Sequence, residues 1–133
     1  MDTAPLVLVV DDNADARELY ATALPLLGLR VLTAADGREG VARARSVMPD
    51  AIVMDLSMPL LEGDQAATIL KADLRTRSIP IVALTSHGFI GRAKAKAAGF
   101  DGFCTKPCAP QDLARLITGL LRALRAVGSE ETA

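Results

Sequence analysis

Four apolar runs in this chain end in residues that can do chemistry. Leu6 to Val10 leads into Asp11-Asp12, and Ala51-Ile52-Val53-Met54 leads into Asp55. Ile81 to Leu84 leads into Thr85-Ser86, and Gly102-Phe103-Cys104 leads into Thr105-Lys106-Pro107. If these runs are parallel strands of one sheet, three carboxylates, a hydroxyl and an ammonium gather at one edge. Crowded carboxylates raise one another's pKa, so the set calls for a compensating cation. Magnesium suits it, taking octahedral oxygen ligands while keeping several waters. A carboxylate so placed can attack phosphorus to give an aspartyl phosphate, with positioned cations and donors neutralising the phosphoryl oxygens. Asp55 stands alone at the end of the central run and is the candidate nucleophile. Asp11 and Asp12 are candidate metal ligands, and Lys106 and Thr85 are candidate phosphoryl contacts. Each feature alone is weak: an Asp after a strand is usually a turn or cap residue. Their order along the chain carries the reading.

The elements that must position them follow from periodicity. Strands are expected at about Leu6–Val10, Arg30–Ala34, Ala51–Met54, Ile81–Leu84 and Gly102–Cys104, alternating with helix-period segments. The first, third and fourth are nearly all apolar, as when helices cover both sheet faces. Right-handed crossovers and the flavodoxin-like order 2-1-3-4-5 then place the switch point between the first and third strands. The expected fold is a three-layer α/β domain with a five-stranded parallel sheet. The first helix presents Ala16, Leu19, Tyr20, Ala23, Leu24 and Leu27 on one side, with Pro25 set to kink or end it. Asp36 and Glu39 have capping-box spacing before the second helix. The third presents Ala66, Ile69, Leu70 and Leu74. The fourth is basic through Arg92, Lys94 and Lys96 and stops at Gly99. The fifth opens with Pro110 and carries Leu113, Leu116, Ile117, Leu120, Leu124 and Val127 as its stripe.

A chain of 133 residues is read as one domain, 1–133, with its core over about 5–126 and a fraying polar tail at 128–133. Fifteen basic and sixteen acidic residues give a net charge of −1, which offers no reason to expect nucleic-acid binding. The longest apolar run is about six residues, too short for a membrane span, and with no signal peptide read the chain is expected to be cytoplasmic. Cys104 and Cys108 have poor metal-ligand spacing and are expected to be reduced thiols. No phosphate loop of the flavodoxin or nucleotide-binding kind follows the first strand.

These residues resemble the receiver domain of two-component response regulators, in the single-domain style of the chemotaxis regulator. The resemblance spans about residues 5–126. It rests on Val9-Val10-Asp11-Asp12-Asn13, Val53-Met54-Asp55-Leu56-Ser57-Met58-Pro59, Glu62-Gly63, Ala83-Leu84-Thr85-Ser86, Gly99-Phe100-Asp101-Gly102-Phe103 and Lys106-Pro107. It implies that Asp55 is the phosphoacceptor, that Asp12 binds magnesium directly and Asp11 largely through water, and that the Ser57 carbonyl is a further ligand. It implies that Lys106, Ser57, Thr85 and Ser86 surround the phosphoryl group and that Lys106-Pro107 is a cis peptide, an option open to X-Pro bonds. Thr85 and Phe103 would be the switch pair. Signal would leave through the face of the fourth helix, fifth strand and fifth helix, toward a downstream protein. The phosphoryl donor would be a histidine kinase or histidine phosphotransfer protein.

Three positions stand out against the usual pattern. Phe103 has no hydroxyl, so the hydrogen bond a Tyr would make from that position is absent. Ser86 replaces a usually smaller residue and is expected to narrow the opening to the site. His87, the chain's single histidine, is read first as a solvated residue at the rim; the sharper reading is that with Ser57 it sets the phosphoryl lifetime by positioning or obstructing water. Arg115, Arg122 and Arg125 read as a solvated surface able to steer an acidic partner. Leu121 is a candidate dimer contact on a monomer or weak dimer. The reading that follows is a phosphorylation-controlled switch that assists its own modification without turning over as a conventional enzyme. Two others stand beside it. A metal-dependent phosphatase or phosphotransferase acting through an aspartyl phosphate usually carries a second Asp two residues on, where this chain has Asn13. A phosphorylation-independent binding module would have no need of the complete acidic set and Lys106.

Overall fold

The computed structural model describes residues 4–56, 58, 63–86 and 88–132, except the side chains of 88–91 and 127–132. Strands β1 (Leu6–Val10), β2 (Arg30–Ala34), β3 (Ala51–Asp55), β4 (Ile81–Thr85) and β5 (Gly102–Thr105) alternate with helices α1 (Ala14–Ala23), α2 (Gly37–Val47), α3 (Gly63–Ala72), α4 (Gly88–Ala98) and α5 (Pro110–Thr132). The strands form one parallel sheet in the order β2-β1-β3-β4-β5, as expected. β3, β4 and β5 each run one residue past their apolar runs, to Asp55, Thr85 and Thr105. Ladder pairing uses backbone groups, so a polar side chain at a strand end does not interrupt it.

Side chains alternate across a strand, and the sheet accordingly has two cores. Leu8, Val10, Ile52, Met54, Ile81 and Ala83 pack with Val41 and Ala44 of α2, Ala66, Ala67 and Leu70 of α3, and Ala95 of α4. Val7, Val9, Ala51, Val53, Val82 and Leu84 pack with Tyr20 of α1, Leu24, and Leu113, Ala114 and Ile117 of α5. The two faces therefore carry α2, α3 and α4 on one side and α1 and α5 on the other.

Local signals explain the element ends. Asn13 caps α1, its Oδ1 accepting the Ala16 N–H at 3.0 Å. Pro25 stops α1, and a short 3₁₀ turn over Leu24–Leu27 follows, closed by Gly28 at φ 91°. Asp36 caps α2 by accepting the Glu39 N–H at 2.9 Å, while the Glu39 carboxylate takes the Ala35 N–H rather than that of Asp36. Gly99, at φ 96°, ends α4 where a side chain would be strained. At the edge of the sheet far from the strand C-termini, the Asp101 carboxylate accepts from Lys71 Nζ and from the Ile81 N–H, each at 2.8 Å.

Five expectations need correction. Leu124, read in the stripe of α5, faces solvent, the buried face of that helix being supplied by Leu113, Ala114 and Ile117. Leu19 and Leu27 face solvent, because only the Tyr20–Leu24 edge of α1 reaches the sheet. Ile69 is partly exposed, and Leu74, 75% exposed, lies beyond the end of α3; Ala66, Ala67 and Leu70 supply that helix's buried face. The tail read at 128–133 is helical as far as Thr132, since Gly128 weakens a helix without breaking it. Cys104 and Cys108 are not free thiols: they are joined in a disulfide, the reversal after β5 having brought their Cα atoms to 6.0 Å, within disulfide range.

Candidate functional site

The carboxyl ends of β1, β3, β4 and β5 meet in a crevice. Asp11 follows β1 and prolongs its pairing, its N–H donating to the Ala34 carbonyl at 3.1 Å. Its own carbonyl accepts from the Arg17 guanidinium at 2.8 Å, and its Oδ1 accepts the Asn13 N–H at 3.0 Å. These bonds fix a side chain that is fully buried. Asp12, next in the chain, is exposed at the mouth. Asp55 ends β3 and is 7% exposed. Lys106 reaches across from the loop after β5, its Nζ 2.9 Å from Asp55 Oδ2 and 3.6 Å from Asp11 Oδ2. Its backbone N–H donates to the Thr85 carbonyl at 2.8 Å, so the lysine loop hangs from the end of β4. Thr85 is buried one position beyond Leu84, the residue paired with Asp55. Ser86 is exposed beside it. The Lys106–Pro107 peptide is cis.

The electrostatics follow from burial and crowding. Burial raises the Asp11 carboxyl above its ordinary pKa, and the neighbouring charges of Asp55 and Asp12 push the same way; the Asn13 N–H and Lys106 only partly offset them. Burial works against the charged form of Lys106 as well. Its hydrogen bond to Asp55, with the charges of Asp55 and Asp11, outweighs that penalty and holds the ammonium above the usual lysine range.

The site fits a hard divalent cation. One ligand oxygen from each of Asp11, Asp12 and Asp55 lies within 4.8 Å of the others. Asp11 Oδ2 is buried and accepts no hydrogen bond among the described residues, with the Lys106 ammonium no nearer than 3.6 Å, an under-satisfied state for a carboxylate oxygen that a closer cation would answer. All-oxygen donors with room for water are what magnesium takes. Ser57, expected to add a carbonyl ligand, and His87, expected at the rim, lie outside the described residues.

Phe103 is not part of the acidic cluster. It sits on the opposite sheet face, partly buried against the core under α4, with the Arg92 guanidinium 5.0 Å from its ring centroid. Ala83 pairs with Phe103 and Thr85 with Thr105, so Thr85 and Phe103 side chains emerge on this same face.

Other residues that build the site went unassigned in the sequence. Asn13 both caps α1 and holds Asp11, a double role that its position after Asp11-Asp12 hints at. Arg17 gives no signal beyond helical spacing. Gly63 opens α3 directly against β3: a Cβ there would collide with the Asp55 carbonyl, so only glycine lets the helix start so close to Asp55. Tyr20 belongs to the α1 stripe as expected, yet its hydroxyl also donates to the Cys108 carbonyl at 2.8 Å.

The family described as response regulator receiver domain matches residues 7–118. Transcriptional regulatory protein PrrA of Mycobacterium tuberculosis is 36% identical over 133 residues, covering 98% of this chain and 56% of that protein. Protein PilG of Pseudomonas aeruginosa is 33% identical over 108 residues, covering 80% of each. The chain spans about half the length of the first curated relatives it matches, for example 47% of the probable transcriptional regulator ycf27 of Guillardia theta. Among solved structures, chemotaxis response regulator CheY4 of Vibrio cholerae superposes with a TM-score of 0.82 at 32% identity, covering 87% of this chain and 98% of that one. The receiver domain of sensor histidine kinase PA1611 from Pseudomonas aeruginosa, solved with a magnesium ion coordinated in the active site cleft, gives 0.83 at 32% identity, covering 90% and 98%.

Proposed function

The chain belongs to the response regulator receiver domain family and is a phosphorylation-controlled signalling switch, and we propose that Asp55 is where it receives its phosphoryl group. The observation that carries this assignment is the 2.9 Å contact of Lys106 Nζ with Asp55 Oδ2, inside a crevice where Asp11 and Asp12 bring their carboxylates within reach of the same point. Lys106 holds the Asp55 carboxylate at the crevice, aimed at an incoming donor. An Asp55 oxygen attacks phosphorus of a phosphohistidine; the new O–P bond forms as the P–N bond breaks, and the imidazole leaves and takes a proton from solvent. Lys106 then passes from the carboxylate to a phosphoryl oxygen, a charge-assisted contact of the kind that stabilises such transfers. Asp11, Asp12 and Asp55 are the residues that would hold a magnesium ion, which when bound neutralises charge on the phosphoryl oxygens.

Thr85 and Phe103 carry the event outward. The Thr85 hydroxyl turns toward the phosphoryl group, and the space it leaves on the α4 face admits the Phe103 ring. This is a shift between two existing arrangements rather than a new fold. The face made by α4, β5 and α5 then presents a different surface to a downstream protein. A histidine kinase or histidine phosphotransfer protein supplies the phosphoryl group. The reading of the site as a partner of histidine kinases supports placement inside the cell. Among the described residues no helix is long and apolar enough to cross a membrane.

The test is incubation with magnesium and acetyl phosphate, followed by intact mass. Wild type gains one phosphoryl mass and Asp55→Asn gains none. An equal gain on both moves the acceptor elsewhere.

A further inference from the structure

The loop that carries Lys106 is bracketed by Cys104 and Cys108, and the two are bonded. We propose that this pair is a reversible dithiol–disulfide site, a covalent clamp on the lysine of the acidic crevice. The identification of the site stands on geometry alone; its consequence for phosphoryl uptake rests on the function proposed above.

Both cysteines stand on backbone that is anchored without the bond. Cys104 lies in β5, paired with Leu84 of β4. The Cys108 carbonyl accepts the buried Tyr20 hydroxyl at 2.8 Å, which ties it to α1. Their Cα atoms are 6.0 Å apart. The dithiol form thus keeps its sulfurs within bonding reach, and oxidation requires no rearrangement of the sheet. Between them Thr105, Lys106 and Pro107 hang from the end of β4 by the Lys106 N–H to Thr85 carbonyl bond of 2.8 Å. Closing so short a loop removes open conformations that would break this bond and swing Lys106 away from Asp55 and Asp11. The clamp also joins the end of β5, next to Phe103, to the residues entering α5, so it spans the crevice and the output face together.

The chemistry is two-electron exchange with a low-molecular-weight disulfide. Cys104 is partly exposed and Cys108 buried, so Cys104 is the sulfur that meets the oxidant. The Cys104 thiolate attacks one sulfur of the small disulfide, whose S–S bond breaks and whose other half leaves as a thiolate. The Cys108 thiolate then attacks the Cys104 sulfur and expels the second half as a thiolate. Two protons leave the cysteines, and two electrons go to the small disulfide. Where the surroundings are reducing, disulfides of this sort are transient and sensing rather than structural.

The test uses the full chain equilibrated in glutathione buffers of graded thiol-to-disulfide ratio, quenched with N-ethylmaleimide and weighed intact. Wild type should pass in one step from doubly alkylated to unalkylated, and dithiothreitol should reverse it. Cys108→Ser should stop at a glutathione adduct on Cys104. Alkylation of both thiols at every ratio, or a stable glutathione adduct on wild type, overturns the site. Amide exchange at Lys106 tests the clamp: it should be about tenfold slower or more in the disulfide form, and equal rates in the two forms overturn it. Neither readout uses a phosphoryl group. An error in the assignment of Asp55 would show separately, as no phosphoryl mass gain in either redox form.

Discussion

Asp11 carries most of the tension at the residue scale. It is fully buried beside two other carboxylates, and one of its oxygens accepts no hydrogen bond among the described residues. Its folded-state pKa is raised, so the folded chain holds that proton more tightly than the unfolded one. The metal-free protein is therefore favoured below the unfolded value of 3.8 and loses that contribution as pH rises through the folded value. Asp11→Asn should flatten this slope and raise the melting temperature of the metal-free protein at neutral pH. It should also abolish most of the stabilisation that magnesium gives wild type. Thermal unfolding across acid and neutral pH, with and without magnesium, checks both; a variant that melts lower in the metal-free state contradicts the account. Gly63 makes a second residue-scale claim. Gly63→Ala would drive a methyl into the Asp55 carbonyl. We expect a loss of about 1–3 kcal/mol of stability, typical of overpacking, together with slower phosphoryl uptake, measured by denaturant unfolding and intact mass.

The strand ends and the switch face belong to the element scale. Arg92 of α4 stacks over the Phe103 ring of β5, and a contact of this kind at an exposed site is worth about 0.5–1 kcal/mol. In Arg92→Ala the ring is released, and its inward population without phosphate should rise about two- to fivefold. NMR shifts of the Phe103 ring report this, and shifts identical to wild type would remove Arg92 from the switch. Much of the element arrangement was legible in the sequence. The runs ending at Val10, Met54 and Leu84 are apolar throughout, as doubly covered strands must be, and the residue after each run lies at the candidate site. Helix faces were less legible. A 3.6-residue period marks Leu19 and Ile69 as readily as Tyr20 and Leu70, but the sheet covers only part of each stripe. Two close approaches were not legible as contacts, although Gly63 stands in a segment that carries the family resemblance. The Gly63 contact with Asp55 and the Cys104–Cys108 pairing are created by tertiary placement, and a spacing of four residues says nothing of whether the chain turns back on itself.

For the whole molecule, the two-core sheet separates two tasks. The α1 and α5 side holds Asp11 and the Tyr20 anchor of the lysine loop, while the α4 side holds Phe103 and Arg92. The phosphoryl chemistry proposed for the strand ends would lie between them and bias both. The first curated relatives are about twice as long as the stretch matched here; on the function proposed above, the downstream surface is sought on α4, β5 and α5, by the change phosphorylation makes there. The account stands most directly on the identity of the attacking residue. Chain phosphorylated with acetyl phosphate and magnesium, then reduced with borohydride, carries an alcohol in place of the modified carboxyl, and peptide fragmentation locates it. The account predicts that conversion at residue 55 alone. Conversion at Asp11, Asp12 or any other carboxylate, with Asp55 intact, would contradict it.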